Sequence, residues 1–326
     1  MVIPIGITKR IEQAVLEFDP DIIHVQGHFT VSKHVIASAR KKNKNIPIVG
    51  TNHFMPENLI HYLHLPSALE KKVMAYSWSD FRKTFDTLHT VTAPTESASV
   101  LATGHGFSQE IQAISCGIDL ALFNPDKKDS AILKKYHLPA KPILLYVGRL
   151  DKEKNVDVVL RAVAAVPKTT NFHLAVAGKG QEQNKLKKLA EKLGIQNRVT
   201  FLGFVPNEDL PALYATSDCF VIACEAELQC IVAMEAMASG LPIIAVDALA
   251  LPELAHDNEN GFLFPPKDTV YLAQKIETLF TDATLRTRMG AKSLDLIRRH
   301  NIETTISSFE TIYTNAITQK SHEKLD

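Results

Sequence analysis

The chain has 326 residues, and its 36 Lys and Arg residues balance 36 Asp and Glu residues to a formal net charge of +0 at pH 7. This balance excludes the broad positive field that nucleic-acid binding requires, and the length exceeds what one hydrophobic core usually serves, which predicts two domains. No apolar run reaches the roughly 18 residues of a membrane-spanning helix and no signal peptide is visible, so we expect a cytoplasmic protein.

Short β-branched and aliphatic runs alternate with helical patterns along the chain, which is typical of parallel sheets wrapped by helices. The sequence therefore predicts an α/β protein with two Rossmann-like domains. The expected strands are 21–25, 46–51, 88–93 and 111–115 in the first domain, and 142–148, 171–178, 198–203, 218–223, 242–246 and 261–264 in the second.

The domain bounds follow from this pattern. We expect a first domain at 1–123 and a second domain at 124–302. The segment 267–318 has only helical patterns, and its apolar stripe predicts a closing helix at about 303–318 that returns to the first domain. The first domain has four predicted strands and the second has six. Because each βα unit takes roughly 30 residues, we expect the first domain to be incomplete at its N-terminus.

The cysteines show no metal-binding spacing. None of Cys116, Cys219, Cys224 and Cys230 belongs to a C-x-x-C pair, and three of them lie in or beside apolar runs, where a thiol packs as a small hydrophobic group. No H-E-x-x-H, Walker lysine loop or G-x-G-x-x-G motif occurs. We therefore expect no metal and no other cofactor.

Two cations follow the first strand of the second domain. Gly148 ends the apolar run 142–148, and it is followed by Arg149 and, later in the same loop, Lys154. Ligands of parallel sheets bind at the carboxyl ends of the strands, where such cations suit a diphosphate group. The alternative is an ordinary charged loop after a strand.

The stretch 218–246 carries two carboxylates between two strands. Its middle predicts a loop, a helix that opens near Leu228 and a Gly-Leu-Pro stop. Glu227 and Glu235 would lie about two turns apart on nearly the same face if both were helical. The free N–H groups of a helix start favour an anion such as a pyrophosphate, so carboxylates there would serve hydroxyl groups. The alternative is an amphipathic helix with two surface glutamates.

Two histidines lie just beyond strand ends in the first domain. His28 follows the strand 21–25, and His53 follows the strand 46–51. A Rossmann-like cleft opens at this edge of a sheet, so both side chains are candidates for ligand contact. The alternative is that each histidine is structural.

Two basic stretches, 34–47 and 69–85, mix cations with apolar or aromatic residues. Such a helix can lie on an anionic membrane surface. In the alternative interpretation the cations cap a helix end and the aromatic side chains face the core. The pattern allows peripheral membrane contact and does not require it.

These motifs together resemble glycosyltransferase family 4. Members of that family carry a Glu-x7-Glu motif followed by E-A-M-A-x-G-x-P, and here Glu227 precedes EAMASGLP at 235–242. The run GRLDKEK at 148–154 is similar to the diphosphate-binding element of the family. The resemblance implies a GT-B fold and a retaining, metal-independent transfer of a hexose from a nucleotide-sugar donor to an acceptor hydroxyl.

The resemblance also implies roles on the donor side. Glu235 would bind the ribose hydroxyls of the nucleotide, and Glu227 would contact the transferred sugar. Arg149 and Lys154 would stabilise the departing nucleoside diphosphate. The donor-binding set implied by the family is completed by Gly148 and Ile231. One departure is Cys230, because family members usually have glycine at that position.

On the acceptor side, the resemblance extends to a subgroup. TNHFMPEN at 51–58, PTES at 94–97 and ISCGIDLALFNP at 114–125 look like the subgroup that glucosylates diacylglycerol. This implies UDP-glucose as donor, a lipid or a small molecule as acceptor, His53 as a catalytic residue near the transferred sugar, and His28 and His53 on the acceptor side.

Two other functions stay open at this point. A chain with an incomplete first domain could bind a nucleotide-sugar without transferring the sugar. A sugar-nucleotide 2-epimerase shares the double Rossmann architecture and would instead convert the donor itself. Binding without transfer would indicate the first, and an epimer formed from the donor alone would indicate the second.

Overall fold

The computed structural model describes residues 8–42, 46–57 and 66–322. Their contacts divide the chain into two compact units, one within Met1–Ser115 and Glu303–Asp326 and the other at Cys116–Ile302. The sequence-based boundary after residue 123 lies later than the boundary in the structure. The reason is that Ile118 and Phe123 are buried in the core of the second unit.

The first unit contains a four-stranded parallel sheet in the order β1-β2-β3-β4. Gly50 lies in β2, and a Cβ atom there would come within 2.4 Å of Leu88 and 2.7 Å of Phe85, so the chain around α3 packs closely on this strand. The elements are α1 Thr8–Phe18, β1 Ile23–Val25, α2 Thr30–Lys42, β2 Ile48–Thr51, α3 Ser67–Phe85, β3 Thr90–Ala93, α4 Glu96–Gly104, β4 Ile111–Ala113 and, at the end of the chain, α13 Ile302–His322.

The second unit contains a six-stranded parallel sheet in the order β10-β9-β8-β5-β6-β7. Every residue of β5, β6, β8 and β9 is buried, as expected for parallel strands that are covered by helices on both faces. The elements are α5 Ala131–Lys135, β5 Ile143–Val147, α6 Val156–Ala165, β6 His173–Ala177, α7 Gln183–Lys192, β7 Val199–Gly203, α8 Leu210–Thr216, β8 Cys219–Ile222, α9 Ile231–Ala238, β9 Ile243–Val246, α10 Leu251–Leu254, β10 Gly261–Phe264, α11 Thr269–Thr281 and α12 Ala283–Ile297.

All ten predicted strands form, each within its predicted range. The α/β prediction with two parallel sheets is therefore confirmed, and the segment after residue 267 is helical as expected. One helix start differs. The helix predicted to open near Leu228 begins at Ile231 instead, because Cys230 adopts a left-handed backbone conformation that is incompatible with an α-helix.

The basic stretch 69–85 forms most of α3, and its aromatic side chains divide between two faces. Trp78, Phe81 and Phe85 are buried in the core of the first unit, whereas Tyr76 is 72% exposed. Residues 43–45 of the other basic stretch lie outside the described residues. Within the described part of the chain, no helix combines the length and apolar character needed to cross a membrane.

Candidate functional site

The turn after β5 is held in place by the buried side chain of Tyr146. Gly148 has a φ of +156°, and a Cβ atom there would lie 2.9 Å from the hydroxyl of Tyr146. The same hydroxyl donates a hydrogen bond of 2.9 Å to the carbonyl of Arg149. The predicted Gly148–Arg149 pair is therefore fixed by the strand that precedes it.

The turns after β5 and β6 are in direct backbone contact through two glycines. A Cβ atom on Gly178, whose φ is +140°, would lie 1.8 Å from the carbonyl oxygen of Gly148. A Cβ atom on Gly180 would lie 2.3 Å from the backbone of Leu150, whose N–H donates to the carbonyl of Lys179 over 3.0 Å. Only glycine permits these two turns to approach so closely.

A cavity of about 270 Å³ opens at this junction. It lies at the carboxyl ends of β5, β6 and β7, the edge at which parallel sheets bind ligands. Sequence reasoning found Gly148 and Arg149 in this lining and missed the others, although Lys179 and Phe204 each follow directly after a predicted strand. The lining includes Gly148, Arg149, Gly178, Lys179, Phe204 and Asn207.

Arg149 is anchored by two carboxylates of its own loop. Its Nη1 donates to Asp151 over 2.5 Å, and its Nη2 donates to Glu153 over 2.7 Å. The Arg149 side chain is 58% exposed, whereas those of Asp151 and Glu153 are only 10% and 2% exposed. Asp151 also accepts a hydrogen bond of 3.1 Å from the N–H of Gln181 in the turn after β6. Nearly buried carboxylates thus fix the side chain of Arg149, which is itself largely exposed.

The structure brings two predicted site residues together as an ion pair. Lys154 Nζ donates to Glu227 Oε1 over 2.7 Å, and the two side chains are only 15% and 16% exposed. Lys154 Nζ also lies 3.6 Å from Cys224 Sγ. Burial opposes the charge of Lys154, but the Glu227 carboxylate outweighs this effect and the pKa of the lysine is raised above its usual value. Lys154 is therefore a fully charged ammonium group at neutral pH.

Glu227 and Glu235 occupy different kinds of backbone. Glu227 precedes α9 and Glu235 lies within it, so the condition for the same-face argument, that both residues are helical, is not met. Glu235 Oε2 accepts a hydrogen bond of 2.8 Å from the hydroxyl of Tyr214. Burial raises the pKa of Glu235, and the bond from Tyr214 opposes part of that rise.

Cys230 stands directly before α9 with a φ of +68° and a ψ of 69°. This left-handed conformation is one that glycine adopts at little cost. It gives a physical reason for the family's glycine at this position. Ile231, the other predicted donor-side residue here, is the first residue of α9 and is exposed.

The histidine predicted as catalytic belongs to a polar network of the first unit. His53 Nε2 lies 2.6 Å from Gln26 Oε1, and Gln26 Nε2 lies 3.2 Å from His24 Nε2. His24 Nδ1 lies 2.6 Å from the hydroxyl of Tyr313 in α13. Desolvation lowers the pKa of His53. Desolvation and the nearby His53 together lower the pKa of His24 to about 4. Both imidazoles are neutral at pH 7.

His28 lies in the core of the first unit. It is 4% exposed, and its ring is 4.5 to 5.1 Å from those of Phe29, Phe54 and Phe81. Among the described residues, its Nδ1 has no hydrogen-bond partner. Burial lowers the pKa of His28 to about 4, which the nearby Asp80 opposes. These surroundings favour the structural interpretation of His28 over contact with an acceptor.

The four cysteines are free thiols, and Cys219, Cys224 and Cys230 are buried. Burial raises the pKa of Cys224 to about 12, so this thiol stays protonated. Across 8–42, 46–57 and 66–322, no group of three or more His, Cys, Asp or Glu side chains is arranged to hold a metal ion.

The backbone at Cys230 leads to a prediction about three variants. A β-branched residue is disfavoured at positive φ, whereas glycine is not. We expect Cys230→Val to lower the free energy of unfolding by about 2 kcal/mol or more, and Cys230→Gly to change it by less than about 1 kcal/mol. The measurement is urea unfolding followed by far-UV circular dichroism. Cys219→Val, at a buried position of strand β8, is the matched control and should cost less than Cys230→Val. Equal stability of the two valine variants would contradict the left-handed conformation.

The burial of His28 leads to a prediction about pH. Its pKa of about 4 lies below the ordinary 6.5, so the unfolded chain binds more protons between these values and the first unit loses stability as the pH falls from 6.5 to 4. His28→Phe should make this loss smaller, because a phenyl ring suits the surrounding aromatic cluster and does not titrate. The measurement is urea unfolding at several pH values, followed by fluorescence of Trp78, the only tryptophan of the chain.

His34→Phe, at a partly exposed position of α2, is the control for the pH experiment and should retain the wild-type pH dependence. A His28→Phe variant with an unchanged pH dependence would contradict a buried neutral His28.

Comparisons with known protein families give two matches along the chain. The family described as "Glycosyl transferases group 1" matches residues 128–294, just over half of the chain. The family described as "Glycosyltransferase Family 4" matches residues 3–122. These two matches meet close to the boundary between the two units.

Individual relatives are similar over most of this chain. The sulfoquinovosyl transferase of Arabidopsis thaliana is 26% identical over 297 residues, which is 88% of this chain and 55% of that protein. The alpha-monoglucosyldiacylglycerol synthase of Streptococcus pneumoniae is 31% identical over 265 residues, which is 79% of this chain and 59% of that protein. The chain thus matches less than two thirds of the length of either relative.

Solved structures agree in fold. Sucrose-phosphate synthase from Thermosynechococcus elongatus superposes with a TM-score of 0.81 at 21% identity, covering 98% of this chain and 81% of that one. HepE of Anabaena in complex with UDP-glucose gives a TM-score of 0.79 at 21% identity, covering 96% and 84%. The two parallel sheets agree with the GT-B fold of these structural relatives. Because the two family matches together span most of the chain, the chain belongs to the glycosyltransferases of family 4 and group 1.

Proposed function

We propose that this protein is a retaining, metal-independent glycosyltransferase that moves glucose from UDP-glucose to a hydroxyl of diacylglycerol or another lipid. The observation that carries the proposal is the ion pair between Lys154 and Glu227. It joins a cation suited to a diphosphate and a carboxylate suited to sugar hydroxyls at the carboxyl edge of one parallel sheet.

Three parts of the donor, namely the base, the ribose and the diphosphate, would each bind at a different place along this edge. The cavity bounded by Gly178, Lys179 and Phe204 suits the base, since it combines backbone groups with an aromatic ring. Glu235 would accept hydrogen bonds from the ribose hydroxyls. The diphosphate would lie near Arg149, Lys154 and the first turn of α9, where the N–H groups favour an anion.

In the proposed reaction, the bond between the anomeric carbon and the diphosphate oxygen breaks while the acceptor oxygen bonds to that carbon from the same face. Arg149 and Lys154 stabilise the negative charge that grows on the diphosphate. Glu227 holds the sugar, and the leaving phosphate takes the proton of the acceptor hydroxyl. His53 acts near the transferred sugar, on the acceptor side.

The choice of substrates is supported by the relatives. The pneumococcal relative is named a monoglucosyldiacylglycerol synthase, and the HepE structure holds UDP-glucose. A lipid acceptor is also compatible with the surface of α3. Leu69 and Tyr76 are exposed, and Lys72 and Lys83 lie on the same helical face. Such a face can rest on an anionic membrane, with the cations near the lipid head groups.

The test is sugar transfer by the purified chain. Radiolabelled UDP-glucose is supplied with vesicles that contain diacylglycerol and an anionic lipid, and labelled lipid and released UDP are both measured. We expect transfer by the wild type and its loss in Glu227→Ala. Glu191→Ala, at an exposed position of α7, is the matched control and should remain active. Folded protein that binds UDP without transfer would contradict the proposal, as would an epimer formed from the donor alone.

Two further variants should separate binding from chemistry. Glu235→Ala removes a contact made in both the ground state and the transition state, so we expect it to raise the donor KM about tenfold with little change in kcat. Arg149→Ala removes charge stabilisation that grows during the reaction, so we expect kcat to fall about 100-fold. Steady-state kinetics with varied UDP-glucose gives both values, and the reverse pattern would contradict the assigned roles.

A further inference from the structure

Tyr214 is a fully buried residue that contacts a donor-side carboxylate. It lies in α8, its side chain is 0% exposed, and its hydroxyl donates a hydrogen bond of 2.8 Å to Glu235 Oε2. The two residues are 21 positions apart in sequence. A buried phenol normally needs a partner for its hydroxyl, and here that partner is the carboxylate assigned to the ribose.

The ring of Tyr214 cannot easily move. It meets the ring of Phe123 edge-on at 5.9 Å between centroids, and that of Phe220 lies at 6.2 Å. Phe220 belongs to β8, in the middle of the sheet. A hydrogen-bond donor fixed in this way holds its acceptor at a fixed position as well, because protein interiors are close-packed.

The two carboxylate oxygens of Glu235 have different surroundings. Oε2 is held by Tyr214, and among the described residues no side-chain donor is bonded to Oε1. Glu235 as a residue is partly exposed. The carboxylate is thus oriented by one oxygen and can accept an external hydroxyl with the other.

The bond also affects the charge of Glu235. Burial raises the pKa of this carboxyl group, and the hydrogen bond from Tyr214 lowers it. The ionised carboxylate is an acceptor on both oxygens, whereas the protonated form carries an O–H donor on one of them. A donor at this position therefore favours the state that can bind hydroxyl groups.

We propose that Tyr214 is a positioning residue for nucleotide recognition, which orients Glu235 to accept hydrogen bonds from the ribose hydroxyls of the donor. This inference rests on the role of Glu235 in the proposed function. Tyr214 itself does not touch the nucleotide, since its side chain is fully buried beneath the carboxylate.

The experiment compares UDP with 2′,3′-dideoxy-UDP, using the whole chain and calorimetry. Tyr214→Phe keeps the ring and removes only the hydroxyl. We expect it to weaken UDP binding about tenfold and to leave the binding of the dideoxy nucleotide nearly unchanged, because that ligand lacks the hydroxyls that Glu235 would bind. A general loss of structure would weaken both ligands equally and would overturn the inference.

The pH dependence gives a second readout. Without the Tyr214 hydroxyl the pKa of Glu235 should rise, so UDP binding by Tyr214→Phe should begin to weaken at a higher pH than in the wild type. Among the described residues, the other titratable groups that act electrostatically on Tyr214 are Tyr146 from β5 and Cys230 before α9. Burial raises the pKa of both, so neither titrates in the acidic range. An unchanged acidic limb would overturn the inference.

Two control variants show which of the proposed roles fails if UDP binding does not change as expected. If Glu235→Ala does not weaken UDP binding, the proposed role of Glu235 fails. If Glu235→Ala weakens UDP binding and Tyr214→Phe does not, only the role of Tyr214 fails. Tyr136→Phe removes a comparable bond between a tyrosine and Asp209, next to the start of α8. It should leave UDP binding unchanged, and an equal loss in this variant would overturn the inference, because it would indicate general destabilisation of α8.

Discussion

The ion pair between Lys154 and Glu227 is the interaction on which the candidate site depends. It joins the turn after β5 to the loop before α9, and these turns follow neighbouring strands of the sheet. Asn155 strengthens the same junction, since its side chain donates to the carbonyl of Ala223 over 3.1 Å. A buried pair of this kind costs desolvation energy and adds little net stability. Its value is that it fixes two charged groups at a defined distance.

The same arrangement recurs around the other cation. Arg149 is held by Asp151 and Glu153, so each predicted cation of the site already has a carboxylate partner. A diphosphate would share these cations with the carboxylates. Because the carboxylates beside Arg149 are nearly buried and its side chain is 58% exposed, an anion that binds there as proposed would approach the arginine from solvent.

Much of the fold follows from local sequence. Runs such as ILLYV at 143–147 are apolar on both faces, and only a covered parallel strand suits them. The helix start at Ile231 did not follow, because residues 228–233 look equally helical and the left-handed turn at Cys230 is a property of the backbone. The bond between Tyr214 and Glu235 and the burial of His28 depend on tertiary packing across distant segments. The sequence motifs therefore named the candidate site residues, and the buried groups that contact them came only from the structure.

Under the proposed function, the contact between Gly148 and Gly178 limits how a nucleotide preference could be changed. Gly148 and Gly178 both line the cavity, and no side chain can be added at Gly178 without separating the two turns. Other lining positions can vary, since Phe204 is 64% exposed and Asn207 also lines the cavity. A library that alters these two positions and keeps the glycines would explore base specificity while preserving the scaffold.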